Sequence, residues 1–247
     1  MNTQLFNDIA LSVINFITSG VTAITGVGGG IVLIGIMPMF MAASIIIPVH
    51  GASQLASNAS RVWFGWQDLR LDCMKEFLIG AVCGAIVFGV AVRFVSLELI
   101  PLFIGIYILL MQWSKTFDRL LKRANNFYAI AFIQIGTGLF VGVSGPMSIA
   151  LLNKKYDNNN TVVTTGALMA TIIHSAKLIV YGILGFSFLA HWRVIVMMVV
   201  FATLGSWVGV RLRHIIPIHW LKALLPWSLT LIAIKIIYDT AVKLGWI

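Results

Sequence analysis

From Leu5 onward, long apolar runs alternate with short polar loops. Residues 5–25 read as an apolar helix that stops at Gly26-Val27-Gly28-Gly29-Gly30, and 31–47 continue apolar with Pro38 inside. Pro48 is expected to open a helix over about 49–66, where Trp63, Phe64 and Trp66 mark a membrane interface. Spans follow at about 77–95 and 98–113, joined by a turn near Ser96, and Ser114 to Asn126 reads as a basic loop. Residues 127–141 run apolar into a second interruption, Gly142-Val143-Ser144-Gly145-Pro146. A short exit at 147–152 leads to a polar turn at 153–160, and the last spans fall at about 161–184, 192–210 and 220–243. Each full span has roughly the 20 residues that a 30 Å hydrocarbon core requires.

A helix built only to sit in lipid has no use for four glycines in five residues. Each loosens it by roughly 1 kcal/mol relative to Ala. The backbone groups so freed survive at membrane depth only where protein or a watery cavity covers them. Gly26 and Gly142 are 116 residues apart, and at that offset Phe16-Ile17 falls on Phe132-Ile133, Gly20 on Gly136, Gly29 on Gly145 and Gly30 on Pro146. Matched interruptions in two halves point to a transporter's binding site. Close helix packing through small residues explains one such cluster but is a weaker account of two in register.

Segment 147–152 is too short to cross, so 127–152 reads as a re-entrant hairpin, and 5–47 is read the same way. Loops 67–76, 114–126, 153–160 and 211–222 then share a side holding Arg70, Lys75, Lys115, Arg119, Lys122, Arg123, Lys154, Lys155, Arg211, Arg213 and Lys222. The opposite side holds Arg93, Arg193 and Lys243. The positive-inside rule makes the first side cytoplasmic and the N-terminus extracytoplasmic. The expected fold is an all-α polytopic membrane protein with a single membrane domain over 1–247. It comprises two inverted-topology repeats, 1–120 and 121–247, each a Gly-broken hairpin plus about three transmembrane helices. Full crossing by 31–47 would move the N-terminus to the cytoplasm and undo the inversion.

Composition agrees: 60% of the 247 residues are hydrophobic and 10% charged, against about 25% charged in soluble domains. The net charge of +9 sits mostly in short loops, which argues against nucleic-acid binding. Cys73 and Cys83 lack metal-ligand spacing, so neither a metal nor a cofactor is expected. Residues 1–9 contain Asp8 and no Lys or Arg, so no cleavable signal is predicted.

Two predicted helices carry polar stripes. His50, Gln54, Ser57, Asn58 and Arg61 recur at helical spacing on the first, and Thr164, Thr171, His174, Lys177 and Tyr181 on the second. At the 116-residue offset Arg61 falls on Lys177. A cation at mid-membrane costs roughly 2.5–3.5 kcal/mol even on lenient scales, and neither stripe holds an Asp or Glu to pair with it. Two such cations facing two broken helices define a site for an anion. Snorkelling is the competing reading for Arg61, and a satisfied structural histidine is the competing one for His50 and for His174.

The glycine cluster at 26–30 followed by Pro38, with its second copy at 142–146, resembles the TauE/SafE sulfite exporter family, as do the length and hydropathy of nearly the whole chain. Ser144 stands where family members often carry another glycine. The resemblance implies a plasma-membrane carrier for sulfite, sulfonates or related organosulfur anions. In an alternating-access carrier the two breaks would meet near the midplane. Gly28, Gly29, Gly30 and Gly145 would offer backbone N–H groups, Ser57, Asn58, Thr25 and Ser144 neutral donors, and Arg61 and Lys177 charge, with His174 beside them. Import would need a co-transported proton or Na⁺, and His50 and His174 are the candidate proton carriers. A passive anion channel and a membrane-embedded sulfur-transfer protein are the alternatives; oligomeric state is left open.

Overall fold

The computed structural model describes residues 3–143, 146–213, 215–216 and 218–247; among them there is no β-strand. Helix α1 (Thr3–Thr25) ends where Gly26 and Gly28 adopt φ of +83° and +102°, a left-handed conformation that costs any other residue about 1–2 kcal/mol. The return limb is α2 (Gly29–Ile36) with a 3₁₀ turn at Met37–Met39. The Asn7 side chain donates to the Phe40 carbonyl at 3.2 Å, so the limb ends beside the start of α1. Residues 29–39 therefore run back along α1 toward its start, and 43–47 already belong to the next helix.

Helix α3 (Ala43–Phe64) begins six residues before the expected start at Val49. Pro48 lies in its second turn, where it forfeits one backbone bond. α4 (Met74–Ala91) and α5 (Ile100–Trp113) follow. The segment expected as a loop at 114–126 contains a helix, α6 (Lys115–Arg123), capped by the Ser114 hydroxyl, which accepts from the Phe117 N–H at 3.1 Å. A 91° bend separates it from α5. Too short and too charged to register as a span, it carries apolar residues on one face only.

The second hairpin is α7 (Phe127–Phe140), capped by Asn126, and α8 (Met147–Lys155), with Gly142 at φ +74° between them. The Lys155 ammonium lies 5.7 Å over the Phe127 ring, so this hairpin leaves where it began. Helices α9 (Asn159–Ile183), α10 (Trp192–Leu212) and α11 (Ile218–Lys243) complete the chain. Among the described residues five segments, Thr3–Thr25, Met74–Phe94, Asn159–Ile183, Leu189–Leu212 and His219–Lys243, are long and apolar enough to cross a membrane. The chain is thus an all-helical polytopic membrane protein. α3 has the length, 22 residues or about 33 Å, but its stripe makes it too polar to be counted with them.

The principal packing pairs are α1 with α10, α4 with α7, α3 with α9, α3 with α10, and α5 with α11. Glycines set the closest approaches. A Cβ on Gly205 would lie 2.1 Å from the Phe16 carbonyl oxygen, and one on Gly80 2.2 Å from that of Tyr128. α3 and α9, matched in sequence at 116 residues from Ala43 to Asn159, form the polar centre.

The basic loops gather at one end of the bundle. There Lys155 pairs with Asp72 at 2.6 Å, Tyr156 donates its hydroxyl to Asp72, and Arg213 bonds the Ala23 carbonyl and the Asn160 side chain. Hydrogen bonds from Lys155 and then Tyr156 hold the Asp72 carboxyl below the usual range. Its contribution is therefore complete above the ordinary aspartate pKa and disappears only as pH falls through the lowered value. At the other end Asp8 of α1 pairs with Arg193 of α10 at 2.7 Å. The Arg193 side chain is 42% exposed, so solvent screens the pair. Asp8→Asn is expected to lower stability by about 1 kcal/mol, read as a reduced midpoint of thermal unfolding in detergent. Lys235, whose neighbours the sequence did not reveal, forms an exposed i,i+4 pair with Asp239.

Candidate functional site

The two hairpin breaks and the polar stripes of α3 and α9 enclose one cavity of about 80 Å³, against the roughly 10–15 Å³ that seats one water. Gly26, Gly28 and Gly30 line it from the first break, and Gly142, Val143 and Pro146 from the second. Gly28 is the N-cap of α2 and Pro146 that of α8. Both short helices therefore present their N-terminal ends to the same space, and such ends carry partial positive charge.

α3 supplies His50, Gln54, Asn58 and Arg61, successive turns of one face. Arg61 is 3% exposed and does not snorkel. It donates through Nε to the Ser57 carbonyl at 3.2 Å and through Nη2 to the Asn58 side-chain oxygen. Among the described residues no carboxylate pairs with it and none lines the cavity. Guanidinium has five N–H donors in a planar fork. Two point into its own helix, which fixes the side chain.

α9 contributes His174, whose buried Nδ1 has no partner among the described residues. Its ring stands edge-on to that of His50, centroids 5.9 Å apart. Lys177 is 1% exposed and is not a lining residue; its ammonium donates to the Gly142 carbonyl at 3.1 Å and lies 3.4 Å from His50 Nδ1.

The other expected site residues divide between lining and support. Asn58, Gly28 and Gly30 line the cavity. Ser57 turns instead to α10, its hydroxyl 3.2 Å from that of Ser206. Thr25 braces the break: its hydroxyl lies 2.8 Å from the Val21 carbonyl and 2.6 Å from the Val27 carbonyl, and donates its one proton to either. Gly29 packs against α1, where a Cβ would lie 1.8 Å from the Thr18 carbonyl oxygen. Ser144 and Gly145 lie outside the described residues. Sequence reasoning passed over Gln134 and Ser148, which line the cavity and bond each other at 2.6 Å. Gln134 was visible as an amide stranded in the apolar run of α7. Gln54, noted in the stripe but not as a site residue, also lines the cavity.

Fold and site together define a helical membrane protein whose carboxylate-poor, cation-bearing cavity lies between two broken hairpins. The chain belongs to the Sulfite exporter TauE/SafE family, whose family model matches residues 11–236. That is a family of membrane transporters rather than of enzymes. No curated protein and no solved structure matches the chain.

Proposed function

We propose that the protein is a secondary transporter that moves a small sulfur-containing oxyanion, such as sulfite, a sulfonate or a related organosulfur anion, across the plasma membrane by alternating access. The observation that carries this reading is the sign of the cavity. One buried guanidinium and two helix N-termini converge on it, and no carboxylate lines it among the described residues. A site so charged stays unbalanced until an anion enters. The volume suits a compact oxyanion, and the sulfur chemistry is the part drawn from the family.

The packing supports a duplicated, inverted architecture. At the 116-residue offset α3 matches α9 and these pack together, whereas α1 packs on α10, the counterpart of α4, and α4 packs on α7, the counterpart of α1. Exchange of this kind is what a two-fold relation between halves produces. The gathering of basic loops at one end of the bundle supports a cytoplasmic location for that end and an extracytoplasmic N-terminus. Export of an anion is then favoured by an inside-negative potential, about 2.3 kcal/mol per charge per 100 mV.

Purified protein titrated with sulfite, thiosulfate and simple sulfonates should bind at least one of them, and in proteoliposomes the flux of that anion should saturate with concentration. Flux that rises without limit would make the protein a passive channel. No binding by any of the three classes would overturn the substrate assignment.

A further inference from the structure

The two breaks are joined by a hydrogen-bonded chain with an unusual restriction on its protons. The Gly30 carbonyl can only accept, so its 2.9 Å contact with His50 makes Nε2 the donor. His50 Nδ1 is then a lone pair, and the Lys177 ammonium faces it at 3.4 Å. Lys177 also donates to Gly142 at 3.1 Å. One line of contacts therefore runs from the first break through His50 and Lys177 to the second.

That line accommodates one excess proton. With Lys177 charged, Nδ1 must be bare. With His50 doubly protonated, Lys177 must be neutral and accept. Two excess protons would set N–H against N–H. With none, neutral Lys177 still has N–H groups for Gly142 and for Nδ1, so the line survives the loss of a proton but not the gain of a second.

Nearby charge leaves the pair without a counter-ion of its own. α3 adds Arg61, and α9 adds His174 and Tyr181, the latter donating to the Leu139 carbonyl at 2.8 Å. α2 has no titratable side chain, α7 has only the exposed Tyr128, and α5 has Tyr107. Charged residues of α4, α8 and α10 (Lys75, Glu76, Lys154, Lys155, Arg193, Arg211) sit at helix ends, and Asp8, the one buried carboxylate among the described residues, is paired with Arg193.

We propose that His50 and Lys177 form a one-proton site through which this carrier couples anion movement to a proton. This inference rests on the anion-carrier reading above. Transfer breaks a Lys177 Nζ–H bond and forms His50 Nδ1–H; the resulting imidazolium sheds its Nε2 proton to cavity water when the Gly30 contact opens. The net change is one proton lost; the ring is left with Nδ1–H and a bare Nε2 that cannot bond the Gly30 carbonyl, so the step requires the first break to move, and the line reforms when the ring regains its Nε2–H form. His50 lines the cavity and Lys177 stands behind it, so exchange with water goes through the imidazole. Lys177 is accordingly a positioning and proton-holding residue rather than a ligand of the anion.

The test uses labelled methanesulfonate, which stays charged across the working pH range, in proteoliposomes with the membrane potential clamped at zero. One proton per anion gives about tenfold accumulation per pH unit, since tenfold and one pH unit are the same free energy, about 1.4 kcal/mol. The alkaline side accumulates anion for co-transport and the acid side for exchange. This steady-state ratio does not depend on how fast a variant turns over. Lys177→Arg keeps the charge but cannot release a proton, and its ratio should fall below about twofold. His50→Gln offers an amide in place of the imidazole and should behave alike. Either variant that still shows counterflow decides the matter: a ratio that stays near tenfold overturns the assignment. A wild-type ratio of one overturns it whatever the variants do. Wild type without counterflow of any tested anion would instead sink the carrier reading itself.

Discussion

Arg61→Ala is expected to weaken anion binding by at least about thirtyfold while leaving the fold as stable as before. The first half follows from burial. Truncating one partner of a desolvated, hydrogen-bonded charge pair costs about 2–5 kcal/mol, and 2 kcal/mol is already about thirtyfold in affinity. The second half follows from the bonds the guanidinium makes. Both described bonds run to its own helix, to Ser57 and Asn58, so its removal separates no two elements. It also relieves a buried charge that has no carboxylate beside it, a change that is often neutral or stabilising. Arg61→Lys should fall between, because an ammonium restores charge without the planar fork. Calorimetric titration with sulfite, alongside thermal unfolding in the same detergent, separates the two effects. Unchanged affinity in Arg61→Ala would remove the guanidinium from the site. A collapse of stability would make it structural.

Gly29→Ala should damage the protein far more than Gly185→Ala, although only the second position has the backbone that usually demands glycine. Gly185 has φ +90°, but a Cβ there meets nothing within 4 Å, so its cost is the strain alone, about 1–2 kcal/mol. Gly29 sits in helical backbone at the start of α2, yet its Cβ would be 1.8 Å from the Thr18 carbonyl oxygen and 2.3 Å from the Thr22 hydroxyl. A carbonyl in the middle of α1 cannot swing aside as a side chain does. α2 must withdraw, and its N-terminal end leaves the cavity with it. Overpacking costs typically about 1–3 kcal/mol, and here the upper part of that range applies. Gly29→Ala should therefore unfold at a lower temperature than Gly185→Ala and lose anion binding as well. Equal midpoints and equal affinities would refute the close approach of the two limbs.

Much of this was legible in the chain because membrane helices are written in composition and period. The runs of apolar residues marked the spans, and the spacing of His50, Gln54, Asn58 and Arg61 marked the polar face of α3. The repeat at 116 residues flagged both breaks before any coordinates. What stayed hidden depended on neighbours. Ser57 and Asn58 are adjacent, so they project about 100° apart on a helix, and only the packing of α10 reveals that Ser57 faces Ser206 while Asn58 faces the cavity. Lys177 reads as an anion ligand from its charge and its stripe, and what its ammonium faces is not written in either. The structure sets the Gly142 carbonyl and His50 against its ammonium. Helix α6 was missed because a nine-residue amphipathic turn of basic sequence has the composition of a loop.

The polarity of α3 also bears on how the chain is made. A segment holding an arginine, a histidine, two side-chain amides and four serine hydroxyls has little tendency to partition from the translocon into lipid by itself, since each such polar residue opposes insertion. Its partner α9 starts at Asn159, close to a hundred residues downstream of the end of α3 at Phe64. The nascent α3 must wait for that later helix, or be chaperoned until it emerges, so the final packing of the first half is decided only once the second has been synthesised.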